Sequence, residues 1–295
     1  MSESAHPILL AHGIARFDIL RAQLRRFWKV PFLAKGDKYH YFKGIKSRLR
    51  RHGFDAYHSH VAFAASVADR ASELGAEVRR ILAKSGAERV HIVAHSMGGL
   101  DARRMIVDCP EMAGAVASLS TIGTPHNGTS FADVGLAMGG GKIIDALARV
   151  VSLEGYKDLS RAACASFNDR VEAIEARNGV VYQTWSSVEP EESNVFMTLT
   201  VPWRIINREE GANDGLVSEA SQSWTGELRD GAAVKVVKRH RFPFAADHWN
   251  QVGWWHVNRW SRADGWRGLS AAIDEYENRV GEVYLDIARS VADLA

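Results

Sequence analysis

Cysteine is scarce: Cys109 and Cys164 are the two in 295 residues, too few for a disulfide framework, and no CxxC or Cys/His spacing suggests a structural zinc site. Both are expected to be buried thiols. Long apolar runs are also missing, with no stretch near the roughly 18 residues that a membrane-spanning helix needs. The opening residues, MSESAHPILLAHG, lack a positive segment running into an apolar core, the form a secretion signal takes. A cytoplasmic protein is therefore expected, with signal-independent secretion as the other route. Excess charge of either sign is absent too, 37 Lys+Arg standing against 35 Asp+Glu for a net of +2. That balance excludes a uniformly basic nucleic-acid binder, so no nucleic-acid partner is expected. Neither an internal repeat nor a low-complexity linker interrupts the chain, and one domain over 1–295 is expected, with a probable insertion.

Hydrophobic residues make up 46% of the chain, and at this length a compact fold buries roughly three quarters of the unfolded surface. One large core needs no metal or disulfide staple. The balanced charge hides a split: residues 1–60 hold 12 Lys/Arg and 4 Asp/Glu, and the remainder is acidic. Arg21 to Arg51 alone holds 11 basic residues and one acid, interleaved with Phe27, Trp28, Phe32, Tyr39 and Tyr41.

Apolar runs bounded by glycine alternate with helical periodicity, the rhythm of a mainly parallel sheet with helices on both faces. Strands are expected at Pro7–His12, Phe54–Val61, Val90–Ala94, Ala115–Ile122 and Val180–Ser186, with further runs at Pro202–Ile206 and Ala233–Val237. Helices are expected at Phe42–His52, 66–85, 98–108, near 158–176 and in a long terminal segment carrying Ile273, Tyr276, Val280, Val283 and Ile287. Residues 66–85 show the apolar 3–4 spacing of an amphipathic helix. Between Phe131 and Leu153 the rhythm breaks at Gly139–Gly141, so 131–157 reads as a lid or cap insertion or as an ordinary packed helix.

The stretch VHIVAHSMGGL at 90–100 carries the chemistry. A β-branched strand runs into Ala94-His95-Ser96-Met97-Gly98 and then a helix. Small residues at 94 and 98 permit a turn so sharp that larger side chains would clash, and it lifts the Ser96 hydroxyl out at the strand's C-terminal end. A serine needs a base and a group to orient that base. In the chain order Ser, Asp, His, each partner should sit in a loop after a late strand. Asp214 in GANDGLVS follows the 203–207 run, and His248 in FAADHWNQVG follows the Val234–Val237 strand. His240 and His256 compete for the base and are read as structural. The Met97 N–H is the first expected oxyanion donor, and the Ile14 N–H in the loop after the first strand is the second.

Together, HPILLAHGI, YFKGIKSRLRRHG, VHIVAHSMGGLDARR, TIGTPHNGTSFAD and INREEGANDGLVS resemble the Pseudomonas-type bacterial triacylglycerol lipases of the α/β-hydrolase superfamily. The resemblance is in register over residues 6 to about 133, thins through 134–200 and returns at 205–253. It implies an α/β-hydrolase fold, Ser96, Asp214 and His248 as catalytic triad, Ile14 and Met97 as oxyanion donors, a lid over an acyl cleft, and a structural role for His126. Three departures stand out. Asn250 and Trp254 occupy positions where the family carries calcium ligands, which weakens that site even with Glu192 upstream, so no cofactor is expected to be required. Ser218-Glu219-Ala220-Ser221 stands where a family cysteine is often found. Residues 15–40 form an insertion, and the basic, aromatic stretch 21–51 suits peripheral contact with anionic lipid, although a solvated basic face whose aromatics pack on the domain is the commoner use. Trp249 and its tryptophan neighbours could line the alcohol side of the cleft, though core packing is the commoner use.

The reading is a serine carboxylester hydrolase acting on a small-molecule or lipid ester through an acyl-enzyme. An acyltransferase or thioesterase on the same triad, or a hydrolase fold kept for ligand binding without turnover, are its alternatives.

Overall fold

The structure is a computed structural model that describes residues 4–13, 37, 40–62, 65–137, 153–254 and 265–294. Its centre is a six-stranded sheet in the order β2-β1-β3-β4-β5-β8, with every neighbouring pair parallel. The strands are β1 (Ile8–Ala11), β2 (Ala56–His58), β3 (Val90–His95), β4 (Val116–Ile122), β5 (Val181–Ser186) and β8 (Lys238–Arg241). A separate antiparallel hairpin joins β6 (Glu227–Asp230) to β7 (Ala233–Val236).

Alternation along the buried strands sorts side chains onto two faces, as the pleat requires. Ile8, Leu10, Val93 and Ile122 pack with α1 (Ile45–Arg51) and the long terminal helix, while Leu9, Ala11, Ile92 and Leu119 pack on the other face under α2 (Val67–Ser85) and α3 (Gly98–Asp108). After α3 come α4 (Pro110–Ala115), α5 (Ser130–Ala137), α6 (Leu153–Asp158), α7 (Arg161–Arg177), α8 (Thr200–Glu209), α9 (Glu219–Ser223) and α10 (Gly265–Val291). A third apolar cluster, with Met97, Leu100, Phe131, Tyr156 and Ile206, links the start of α3 to α5, α6 and α8.

Several expectations need correction. The run at Pro202–Ile206 is helix α8, because its apolar residues recur at helical spacing and Pro202 sits in the first turn, where its missing N–H costs nothing. Val234–Val236 belongs to the hairpin, and the basic Lys238–Arg241 segment is itself the last strand of the main sheet. Pro110 ends α3 and also opens α4. Cys109 is half-buried, whereas Cys164 is buried, with its thiol pushed up to about 12 by desolvation; both are free. Of the segment 131–157, residues 131–137 and 153–157 are helical and 138–152 lie outside the described residues. Most of the basic insertion, and Ile14 and His256, lie outside them as well. Among the described residues no helix is long and apolar enough to cross a membrane.

Candidate active site

Parallel pairing aligns Ala11 with Ala94 and Ala94 with Thr121, so the chain leaves three adjacent strands at one edge. Gly13, Ser96 and Gly123 are brought together there, at the C-terminal edge where open α/β sheets place their sites. Ser96 has φ 58°, one of two non-glycine residues with positive φ among the described residues. Its N–H donates to the Ile122 carbonyl at 2.9 Å, and its own carbonyl accepts from Gly99 N–H at 3.0 Å and Thr124 Oγ1 at 2.8 Å. These bonds hold the strained turn.

The expected crowding is explicit. A Cβ on Gly98 would lie 2.7 Å from the Ala11 carbonyl oxygen and 2.8 Å from that of His12, and one on Gly13 would lie 2.6 Å from Ser96 Cβ. Ala94 is fully buried in the sheet. Met97 caps α3 from beneath the turn and is buried, which puts its N–H beside Ser96 at the positive end of the helix.

On the far side of the edge, His248 Nδ1 lies 2.8 Å from Asp214 Oδ2, and the two residues are further joined by a 2.8 Å bond from His248 N–H to the Asp214 carbonyl. Both side chains are buried. The other carboxylate oxygen, Oδ1, accepts from Leu216 N–H at 2.9 Å and Val217 N–H at 2.8 Å. The Asn-Asp-Gly turn thus wraps its own acid, with Gly215 at φ 100°. Asp214 and His248 therefore form a pair, and His95, next to Ser96 in the chain, brings its ring to 4.5 Å from that of His248. Ser96 Oγ and His248 share no hydrogen bond among the described residues.

Comparison with known proteins fits this geometry. Residues 23–138 match the PGAP1-like alpha/beta domain. The chain is 35% identical over 131 residues to a triacylglycerol lipase of Pseudarthrobacter phenanthrenivorans, covering 43% of this chain and 35% of that one. Over 262 residues it is 28% identical to triacylglycerol lipase 2 of Saccharomyces cerevisiae, covering 76% of each. A metagenomic carboxyl esterase superposes with a TM-score of 0.64 at 16% identity, over 99% of this chain and 76% of that one. The chain is thus similar to bacterial and yeast triacylglycerol lipases over part of its length, and it has the fold of lipases and esterases of the α/β-hydrolase type. It spans about a third of the length of the first curated relatives it matches.

The remaining candidates separate by their contacts. His126 is buried, stacked on Trp224 at 4.6 Å and bonded to Thr121 Oγ1 at 2.9 Å, and His240 stacks on Trp185 at 4.5 Å; both are structural. Asn250 donates through Nδ2 to the Trp254 carbonyl at 2.7 Å and accepts from Asp247 N–H at 3.3 Å, so its side chain staples the histidine loop. Glu192 pairs with Arg204 at the surface. No group of three or more His, Cys, Asp or Glu residues able to hold a metal occurs among the described residues. Trp249 and Trp254 are core residues.

Other residues hold the site without having stood out in the sequence. Arg70 is buried, donates to the His12 carbonyl at 2.7 Å and pairs with Asp101 of α3 at 2.7 Å, clamping the loop after β1 onto the helix after Ser96. The neighbouring His12 ring is pushed down to about 3, first by desolvation and then by the Arg70 charge. Gln251 reaches Asp214 Oδ2 at 2.7 Å. A lone arginine on an amphipathic helix and a glutamine in a tryptophan-rich loop carry no pattern that sequence reading could have separated from ordinary surface residues.

Proposed function

We propose that the chain is a serine carboxylester hydrolase of lipase or esterase type, acting on acyl esters of the acylglycerol class. The Ser96 elbow carries the reading: a serine at positive φ on the C-terminal edge of a parallel sheet, whose neighbour His95 lies 4.5 Å from the histidine of a histidine–carboxylate pair. Ser96 Oγ attacks the acyl carbonyl and His248 Nε2 takes the hydroxyl proton. Asp214 holds the Nδ1–H so that Nε2 is the free base and stabilises the imidazolium that forms. The Met97 and Ile14 N–H groups receive the tetrahedral oxyanion. His248 returns its proton to the departing alcohol oxygen, leaving Ser96 acylated. The same nitrogen then activates a water that releases the acid and restores Ser96. The names of the curated relatives support the ester class.

The reading needs no metal, since Asn250 spends both ends of its amide inside the histidine loop. Hydrolysis of p-nitrophenyl esters from acetyl to long-chain acyl, with and without EDTA, tests both points. Ser96→Ala is expected to lower turnover by about 10⁴-fold or more and to abolish fluorophosphonate labelling while leaving the thermal midpoint within a degree or two of the parent. Full turnover in that variant, or a folded parent that neither turns over nor labels, would sink the assignment. A rate that collapses in EDTA and returns with calcium would show that this loop takes a metal after all.

A further inference from the structure

Behind the Asp214–His248 pair lies a chain of buried side chains whose hydrogen-bond directions can all be assigned. Asp214, ionised, only accepts, so the Gln251 group 2.7 Å from its Oδ2 is the amide Nε2. That nitrogen's second hydrogen goes to Ser187 Oγ at 2.7 Å, and Ser187 in turn donates to the Ala246 carbonyl at 2.8 Å. Gln251 Oε1 therefore faces His95 Nε2 at 2.8 Å and, being a pure acceptor, fixes the proton on that nitrogen. His95 Nδ1 is left as an acceptor, and Tyr41 donates its hydroxyl proton to it at 2.7 Å. The Gly13 backbone hydrogen-bonds the same phenol. Burial holds His95 neutral by lowering its pKa well below the ordinary value, as this assignment requires.

From Tyr41 to Asp214 every donor points the same way, from the turn before α1 through β3 to the carboxylate, with Ser187 as a side branch of Gln251. Tyr41 is 3% exposed, and His95 and Gln251 are fully buried, so each bond acts without competition from water. Room for Gln251 comes from Gly123 at φ 57°, where any Cβ would collide with its amide. The titratable groups facing the Asp214–His248 pair are His95, 4.5 Å from the His248 ring, and Asp247, whose oxygens accept from the N–H groups of Phe196, Trp249 and Asn250. None of these competes with Gln251 for Asp214 Oδ2.

We propose that Gln251 is a positioning residue that locks the Asp214 carboxylate onto His248, and that its own orientation is set by the His95 tautomer and the Tyr41 hydroxyl. The proposal rests on the triad reading given above. Without Gln251, Oδ2 keeps a single side-chain donor and the carboxylate can swing in its turn, weakening its hold on the imidazole. Loss of orientation acts on the transition state more than on ground-state binding, so kcat should fall while KM stays.

The test compares the parent with Gln251→Met, which conserves volume, and Tyr41→Phe, which removes only the remote hydroxyl. Two readouts are taken: kcat and KM on a p-nitrophenyl ester, and the downfield Nδ1–H proton resonance of His248 by NMR, which needs no turnover. Expected are a kcat about tenfold lower in Gln251→Met and about threefold lower in Tyr41→Phe, KM within a factor of two, and a shifted or broadened His248 resonance in both. If the parent fails to hydrolyse esters, the triad reading falls and the resonance alone decides the positioning role. An active parent with kcat and resonance unchanged in Gln251→Met overturns the proposal. If Gln251→Met does not fold, unchanged kcat and resonance in Tyr41→Phe overturn it.

Discussion

At the scale of single residues, the site is built by omission of side chains as much as by their presence. Gly98 stands where a Cβ would meet two backbone oxygens, those of Ala11 and His12, at 2.7 and 2.8 Å. Backbone cannot swing aside as a flexible side chain can, so Gly98→Ala must push the loop after β1 away from the elbow. The cost of such overpacking is about 1–3 kcal/mol, and the loop it displaces is the one read as an oxyanion donor. Gly98→Ala is expected to lower kcat by more than a hundredfold while lowering the urea midpoint only modestly; the two measured side by side check it, and a variant with parental kcat would show that the loop tolerates the shift. This crowding was legible in VHIVAHSMGGL, since only a tight strand-to-helix turn calls for small residues flanking a serine. The Asp214 turn was legible for a similar local reason. Gln251 and Arg70 were not, because their roles depend on partners 37 and 31 positions away in the chain, and a single polar side chain carries no mark of the partner it will meet.

Among elements, those whose signal is local and repeated were readable. Helix α2 has an apolar stripe of Ala71, Leu74, Val78 and Ile81, a serine before its first turn and Gly86 at φ 71° after its last. Ser66 Oγ accepts from Asp69 N–H at 3.2 Å. Ser66→Ala leaves that donor to water and is expected to cost about 1 kcal/mol of stability, read as a lower thermal midpoint with ester turnover intact. A midpoint equal to the parent's would mean that Asp158, which already takes Val67 N–H at 2.9 Å, caps the helix by itself. Elements after residue 200 were harder. Trp203-Arg-Ile-Ile-Asn207 is β-rich in composition, yet packing of Ile206 into the cluster around Met97 makes it helix α8. In the hairpin, the run expected at Ala233–Val237 is strand β7, whereas β6 buries only Leu228 among charged neighbours, so it has no apolar run to announce it. Part of the basic stretch also resolved differently: Tyr41 and Phe42 are core, while Lys43 pairs with Glu277 at 2.6 Å and Arg48 with Glu282 of α10. Some of its charge therefore serves to dock the terminal helix.

Over the whole molecule, the histidines decide how the fold responds to acid. Of the six histidines buried among the described residues, four are held furthest below the ordinary value: His12, His91, His95 and His126. Desolvation is the largest cause in each, lowering His12 to about 3, His91 to about 4, and His95 and His126 well below the ordinary value. In the unfolded chain each takes a proton near the ordinary histidine value, about 6.5. Below that pH the unfolded state binds protons that the native state refuses, so their contribution to stability is lost as pH falls from about 6.5 toward 4. Two buried aspartates act in the opposite sense, because burial raises Asp101 to about 6 and Asp247 to about 7. Between the unfolded aspartate value and those values the native state holds protons that the unfolded chain has released. His40, lowered to about 4, and His58, also lowered by burial, add to the histidine side, so the histidines outnumber the two raised aspartates and unfolding takes up protons, each worth roughly 1.4 kcal/mol per pH unit. Typical stabilities are of order 5–15 kcal/mol, so cooperative acid unfolding is expected between about pH 6 and 4. Urea unfolding at pH 7, 6 and 5 should show a midpoint falling at each step, and the Ser96→Ala variant should follow the same curve, because Ser96 does not titrate in this range. A midpoint that holds or rises toward pH 5 would mean that the aspartates, not the histidines, govern the acid limb.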